Sequence, residues 1–167
     1  MDGINLIFLE EKKKLPVGAS KFLGNPDVWD GFEWPQFVEN GEDYDLTFLC
    51  QINCAEAAPF NKENILPKSG MLYFFYDMDE MPQVPLNENA ARVLYYDGDP
   101  AELRAMLRTD HEGNDMSLPE MGIRFGDDSR LPNAVLGEPL LLLYSFENDK
   151  VSIRFPGDGI LCFEEMG

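Results

Sequence analysis

The feature that most constrains this fold is a succession of short apolar runs, each cut off by Gly, Pro, Asn or Asp. They are INLIFL at residues 4–9, LTFLCQI at 46–52, MLYFFY at 71–76, RVLYY at 92–96, LLLLYSF at 140–146, VSIRF at 151–155 and ILCF at 160–163. Runs this short, rich in β-branched and aromatic residues and closed by turn formers, predict strands rather than helices. VSIRF alternates cleanly. LTFLCQI alternates as well, which predicts Leu46, Phe48, Cys50 and Ile52 on one face and Thr47, Leu49 and Gln51 on the other. Several runs are apolar at every position, as strands covered on both sides are.

Helix signals are fewer. Residues 99–108 read DPAELRAMLR. Asp99 is placed to cap, Pro100 to take the first helical position, and Leu103, Met106 and Leu107 to share a face, which predicts a helix over 100–108. Residues 129–136 are expected to form another short turn. The polar, acidic stretch 34–45, with a turn at Asn40-Gly41, reads as a loop. Residues 110–128 carry the single His and read as a long flexible connection. The expected fold is therefore α+β and β-rich, with antiparallel β units and one or two short helices in a single domain over 1–167.

The two ends of the chain echo one another. LGNP at 23–26 matches LGEP at 136–139, and each has a Leu-Pro pair upstream, Leu15-Pro16 and Leu131-Pro132. Downstream of each comes an apolar strand, FLCQIN or LLLYSF, and then a strand opened by glycine, GMLYF from Gly70 or GILCF from Gly159. This order predicts an internal repeat, approximately 15–77 and 131–166, built from two related β units. In each LGxP the glycine permits a positive φ and the proline fixes φ, so the motif punctuates the backbone and aims the chain toward a core strand. The first copy alone carries an insertion between its LGxP and its strand.

Charge limits the partners. Thirteen Lys and Arg stand against 31 Asp and Glu, a net −18. Nucleic-acid binding depends on cations that displace counterions from phosphates, and binding to anionic membranes on basic clusters, so neither is expected. A basic protein or a cation would be attracted and steered. The start of the chain, MDGINLIFLEEKKK, has its acid first and its lysines after the apolar stretch, the reverse of a secretory leader. Cys50, Cys54 and Cys162 are odd in number and lack CxxC spacing, as reduced cytoplasmic thiols do.

No convincing catalytic constellation emerges. A Cys-His nucleophile would need one of the three cysteines beside His111, and Cys50 alternates with core residues as a buried thiol does. GxSxG and HExxH signatures are absent from the sequence, and no pattern calls for a cofactor. Asp97-Gly98-Asp99 has the flavour of a hard-cation loop without the full spacing, which makes Asp97 and Asp99 the candidate metal ligands; turn aspartates that bond their own backbone are the commoner alternative. The inserted segment supplies the candidate binding residues Trp29, Phe32, Trp34, Phe37 and Tyr44, because extra loops on a scaffold carry function and Trp and Tyr anchor interfaces. The alternative, and the commoner outcome, is that Trp34-Pro35 packs as a lid over the core.

Four motifs in order carry a family resemblance: SKFLGNP at 20–26, GFEWP at 31–35, FLCQIN at 48–53 and LPKSGMLYFF at 66–75. This succession resembles the YwqG-like family of bacterial proteins, whose members run SKFGG-P, a WP dipeptide, FLAQIN or FLLQI, and LPxxGxLxFF. The resemblance implies the same domain in a trimmed form, with Leu23 standing where many members have Gly. The second LGxP also lacks the family's usual preceding His-Gln. That family is distantly similar to eukaryotic programmed-cell-death-two-like proteins, which look like chaperones for a ribosomal protein and carry zinc-type Cys pairs. Cys50 and Cys54 do not make such a pair, so the resemblance brings no zinc. Together, charge and resemblance predict an interaction module for a basic partner, immunity-like or chaperone-like. The alternative is a small-ligand or cation-binding domain with its site where the two repeats meet.

Overall fold

A computed structural model of the chain describes residues 4–9, 14–60, 66–77, 91–116, 120–126 and 134–135. Eleven strands run through these residues: β1 (Ile4–Leu9), β2 (Lys21–Phe22), β3 (Asp27–Val28), β4 (Gln36–Glu39), β5 (Glu42–Asp45), β6 (Thr47–Asn53), β7 (Met71–Tyr76), β8 (Ala91–Tyr96), β9 (Arg104–Ala105), β10 (Met121–Gly126) and β11 (Ala134–Val135). One turn of helix, α1 (Cys54–Ala57), follows β6. The fold is α+β and β-rich. Its principal sheet has seven strands in the order β11-β1-β10-β2-β6-β7-β8, and two-stranded sheets pair β3 with β9 and β4 with β5. Every pairing between these strands is antiparallel.

The strands expected at 4–9, 71–76 and 92–96 are present, and 46–52 holds most of β6. Within β6 the expected division of faces fails. Phe48 lies opposite Phe75 but Cys50 lies opposite Phe74, so one extra residue, Leu49, is accommodated as a bulge. Side chains alternate with period 2, so a single extra residue exchanges the faces beyond it. Phe48 therefore shares a face with Gln51 and Asn53, while Cys50 and Ile52 point the other way with Phe74 and Leu72. The bulge delivers a polar side chain, Gln51, to the same face as Tyr73.

That face carries the main aromatic core. Leu46, Phe48, Met71, Tyr73 and Phe75 pack with Phe37 and Leu103, and Trp29, Phe32, Trp34, Leu94 and Tyr96 close around them. Burying one large side chain of this kind contributes about 2–3 kcal/mol. All six residues of β7 are buried, which accounts for its unbroken apolar run. On the opposite face Phe60, in the 3-10 turn after α1, approaches Phe125 of β10.

Three loop and helix expectations are corrected. Residues 100–108 are not a helix: a 3-10 turn at Pro100–Glu102, capped by Asp99, gives way to extended backbone at Leu103 and then to β9. A helix this short is marginal in water. The extended course instead buries Leu103 in the aromatic core and pairs Arg104 and Ala105 with Val28 and Asp27. Stretch 34–45 is no loop either, for β4 and β5 form a hairpin across Asn40-Gly41. Both turn residues have positive φ, 53° and 79°, the geometry that a two-residue hairpin turn demands.

The described part of residues 110–128 is likewise not a long loose connection. Their first part turns back tightly between Thr109 and Asp115. Residues 121–126 form β10, which sits inside the sheet between β1 and β2. The signal was a brief alternation, buried Ile123 and Phe125 around exposed Arg124, hidden by flanking glycines and aspartates. Of the short turn expected at 129–136, Ala134 and Val135 form β11. The strands expected at 140–146, 151–155 and 160–163, and with them nearly all of the expected second repeat, lie outside the described residues.

Candidate functional site

The inserted segment is fixed to the sheet by a buried polar lock. Asp27 is 2% exposed and Gln51 is fully buried. The Asp27 carboxylate accepts from the Gly18 N–H at 2.9 Å and from Gln51 Nε2 at 2.8 Å. In return Gln51 Oε1 accepts from the Asp27 N–H at 2.9 Å, and Gln51 Nε2 also donates to the Ala19 carbonyl. The Tyr73 hydroxyl donates to the Asp27 carbonyl at 2.6 Å, and burial first, then the nearby Asp27 charge, holds that phenol above its ordinary pKa. Lys21 Nζ lies 3.6 Å from Asp27 and donates to Glu120 at 3.2 Å. A charge taken out of water is tolerable only when partnered in this way.

Alongside, Ser20 Oγ donates to Glu56 and accepts from the Asn53 N–H, while the Asn53 side chain caps α1. The SK and QIN motifs are thus each other's hydrogen-bond partners across β2 and β6. The lock leaves its members spoken for, which makes it a scaffold.

The LGxP turn follows directly. Leu23 and Gly24 both have positive φ, 59° and 76°, and the Leu23 N–H donates to the carbonyl of the bulged Leu49 at 2.7 Å. Leucine rarely adopts this conformation, and here it does so with its side chain 1% exposed. A Cβ on Gly24 would press into Glu120, the partner of Lys21.

From this anchor the insertion lays its rings over the core. Trp29 stacks on Tyr96 with centroids 5.1 Å apart and meets Phe32 edge-on at 5.2 Å. Trp34 stands edge-on to Phe75 at 5.3 Å, and its indole N–H donates to the Leu46 carbonyl at 2.7 Å. Offset and edge-to-face arrangements are the favoured ones for such pairs. Phe37 is buried and stacks with Tyr44 at 5.3 Å. Of the five candidate binding residues, Trp29, Phe32 and Trp34 are half-buried, Phe37 is buried, and Tyr44 is exposed. The Tyr44 hydroxyl donates to Glu42, and that hydrogen bond raises the phenol's pKa.

One residue that sequence reasoning passed over completes the surface. Arg108 lies over the Trp34 ring, 4.4 Å from its centroid, and pairs with Asp45 at the base of the β4–β5 hairpin. Nothing local in the sequence links position 108 to positions 34 and 45. Beyond Arg108 the chain makes a second hairpin. The Met116 N–H donates to the Arg108 carbonyl, the Asp110 N–H to the Asn114 carbonyl, and the Asp110 carboxylate gathers the N–H groups of Glu112 and Asn114. Donation from the Asn114 side chain and backbone holds the Asp110 carboxyl below its usual pKa. At the base of the two hairpins, beside the LGxP turn, opens a cleft of about 50 Å³, lined by Gly24, Asn25, Trp34, Thr47, Phe48, Arg108 and Met116.

The remaining candidates sit elsewhere. Asp99 spends its carboxylate capping the 3-10 turn through the Ala101 N–H, and Asp97 is exposed two residues before it. Among the described residues no group of three His, Cys, Asp or Glu is placed to hold a metal ion. Cys50 and Cys54 are buried free thiols. Burial raises the pKa of both, that of Cys54 to about 11, whereas a nucleophilic thiol needs a lowered one. His111 is exposed at the tip of the second hairpin. The pocket expected where the two repeats meet lies outside the described residues.

What fold and site define together is a β-rich α+β domain with an aromatic lid and two acidic hairpins. The family model described as Domain of unknown function (DUF1963) matches residues 20–131, and the chain belongs to that family. The match opens at Ser20, within the segment that forms the polar lock. No curated protein matches the chain.

Proposed function

We propose that this protein, a trimmed YwqG-like member of its family, is an interaction module of the cytoplasm that engages a basic protein partner. The observation that carries this reading is the pairing of the two hairpins. The Arg108–Asp45 bridge joins segments far apart in sequence, and each brings exposed acids: Glu39, Glu42 and Asp43 on one, Asp110, Glu112 and Asp115 on the other. Arg108, the arginine of this surface, is already engaged by Asp45 and Trp34. Such a face attracts cations over the reach of a Debye length and speeds encounter with a basic surface. A client of the immunity-like kind, a basic toxin, or of the chaperone-like kind, a basic ribosomal protein, has the matching charge.

Binding of the purified chain to a panel of purified small basic and acidic proteins, at about 50 mM and about 500 mM salt, tests the reading. Retention of a subset of the basic proteins, weakening steeply with salt, is the expected result. Binding indifferent to salt, or confined to the acidic proteins, would refute it.

A further inference from the structure

We propose, resting on the reading above, that the two hairpins form one docking face for an extended basic segment of the partner, with an aliphatic side chain of that segment seated in the cleft at their base. Six large hydrophobic side chains are exposed among the described residues. Four lie in or beside the two hairpins: Val38 at 67%, Tyr44 at 41%, Leu107 at 73% and Met116 at 52%; Val38 and Tyr44 stand on opposite faces of the β4–β5 ribbon, and Met116 is the one that lines the cleft. Leu107 directly precedes Arg108, and Met116 is bonded to it through the backbone. Scattered exposed apolar residues are ordinary, so the seat rests on Met116, which lines the cleft with acids on both hairpins around it. Here the rim is acidic, so the complementary segment carries Lys or Arg on either side of an apolar residue.

Size and backbone narrow the occupant further. A cleft of about 50 Å³ is far below the roughly 300–1,000 Å³ of a small-molecule pocket. It accepts the tip of a side chain, among Trp34, Phe48 and Met116 with the polar Asn25, Thr47 and Arg108 beside them. Thioether and aromatic surfaces adapt to aliphatic groups. The β4–β5 ribbon pairs with no further strand among the described residues, which leaves edge N–H and C=O groups for an extended chain to bond. Position along the face then comes from the backbone and the aliphatic seat, and attraction from the acids.

The test uses three labelled peptides of about a dozen residues, long enough to reach across both hairpins: alternating Lys and Val, alternating Lys and Ser, and alternating Glu and Val. Titration into the full chain at low salt is expected to show the Lys-Val peptide binding about tenfold more tightly than Lys-Ser, and no binding of Glu-Val. Glu39→Gln/Glu42→Gln/Asp43→Asn is expected to weaken Lys-Val about tenfold, and so is Met116→Ser. A charge-matched control, Asp30→Asn/Asp97→Asn/Glu102→Gln, leaves it within about twofold. Equal losses in the hairpin and control variants overturn the docking face while the basic-partner reading stands. Equal affinity for Lys-Val and Lys-Ser overturns the aliphatic seat. Failure of both basic peptides to bind overturns the docking face and the reading beneath it.

Discussion

Replacing Gln51 by Glu alters one atom at the centre of the polar lock and converts a donor into a charge. Gln51 Nε2 lies 2.8 Å from the Asp27 carboxylate, and both residues are buried. Two ionised carboxylates at that separation repel by about 6 kcal/mol at an effective dielectric constant of 20. The folded chain escapes part of this by protonating the new side chain, and the pH sets the cost of doing so. From an ordinary Glu pKa of about 4.3, the proton costs about 5 kcal/mol at pH 8 and about 1.6 kcal/mol at pH 5.5. Loss of the bond to the Ala19 carbonyl adds about 1 kcal/mol at either pH.

The sign follows from linkage. The new carboxyl has a folded pKa raised above its unfolded value, so its stability is present below the unfolded pKa and is lost as pH rises through the folded one. Gln51→Glu is therefore expected to be about 3 kcal/mol less destabilising, relative to the parent, at pH 5.5 than at pH 8. Urea unfolding followed by Trp fluorescence reports it, since Trp29 and Trp34 both pack against the core. Gln51→Met, which removes the polar group without adding charge, should show no such swing. A Gln51→Glu variant whose deficit is the same at both pH values would refute the reasoning.

Three further outcomes are expected. Leu23 is buried with φ 59°, so Leu23→Gly should be more stable than Leu23→Ala by about 1 kcal/mol, reversing the usual order, although both fall below the parent by about 2–4 kcal/mol; Ala above Gly in chemical denaturation would show that the turn carries no strain. Because burial pushes Cys54 up to about 11, about one thiol in a thousand is ionised at pH 8, and a Cys162→Ser background should react with a thiol reagent only as fast as it unfolds; prompt modification of the native protein would contradict that. Arg108→Ala and Asp45→Asn should show a coupling of about 1 kcal/mol in a double-mutant cycle, reduced by salt because the pair is part-exposed, whereas Arg104 and Asp30, largely in solvent, should couple by under about 0.5 kcal/mol.

Much of this fold was legible because certain signals are local. The all-apolar run of β7, the Asn-Gly turn of the β4–β5 hairpin and the Asp99-Pro100 start of a helical turn each follow from the residues that form them. The site was legible only in part. Trp29, Phe32, Trp34, Phe37 and Tyr44 could be gathered because they are close in sequence. Whether each ring faces the core or solvent could not be assigned, because that depends on what lies on either side of the segment. Residues 100–108 have a good helical pattern, yet past the 3-10 turn the backbone is extended, because Leu103 has an aromatic core to enter and Arg104 and Ala105 have β3 to pair with. Residues 121–126 are masked by glycines and aspartates, yet they form an interior strand because β1 and β2 stand on either side.

Arg108 shows the division most clearly. Its sequence context assigned it to the end of a helix; its neighbours in space, Trp34 and Asp45, make it the joint between two hairpins. By itself the sequence determined the β-rich class, the acidic surface and the points at which the chain turns, because composition and turn chemistry act on the residue that carries them. The tertiary structure decided which face Gln51 occupies, where β10 lies and that the two acidic hairpins meet. Those depend on a one-residue bulge and on contacts between distant segments, whose energies exist only once the chain has closed on itself.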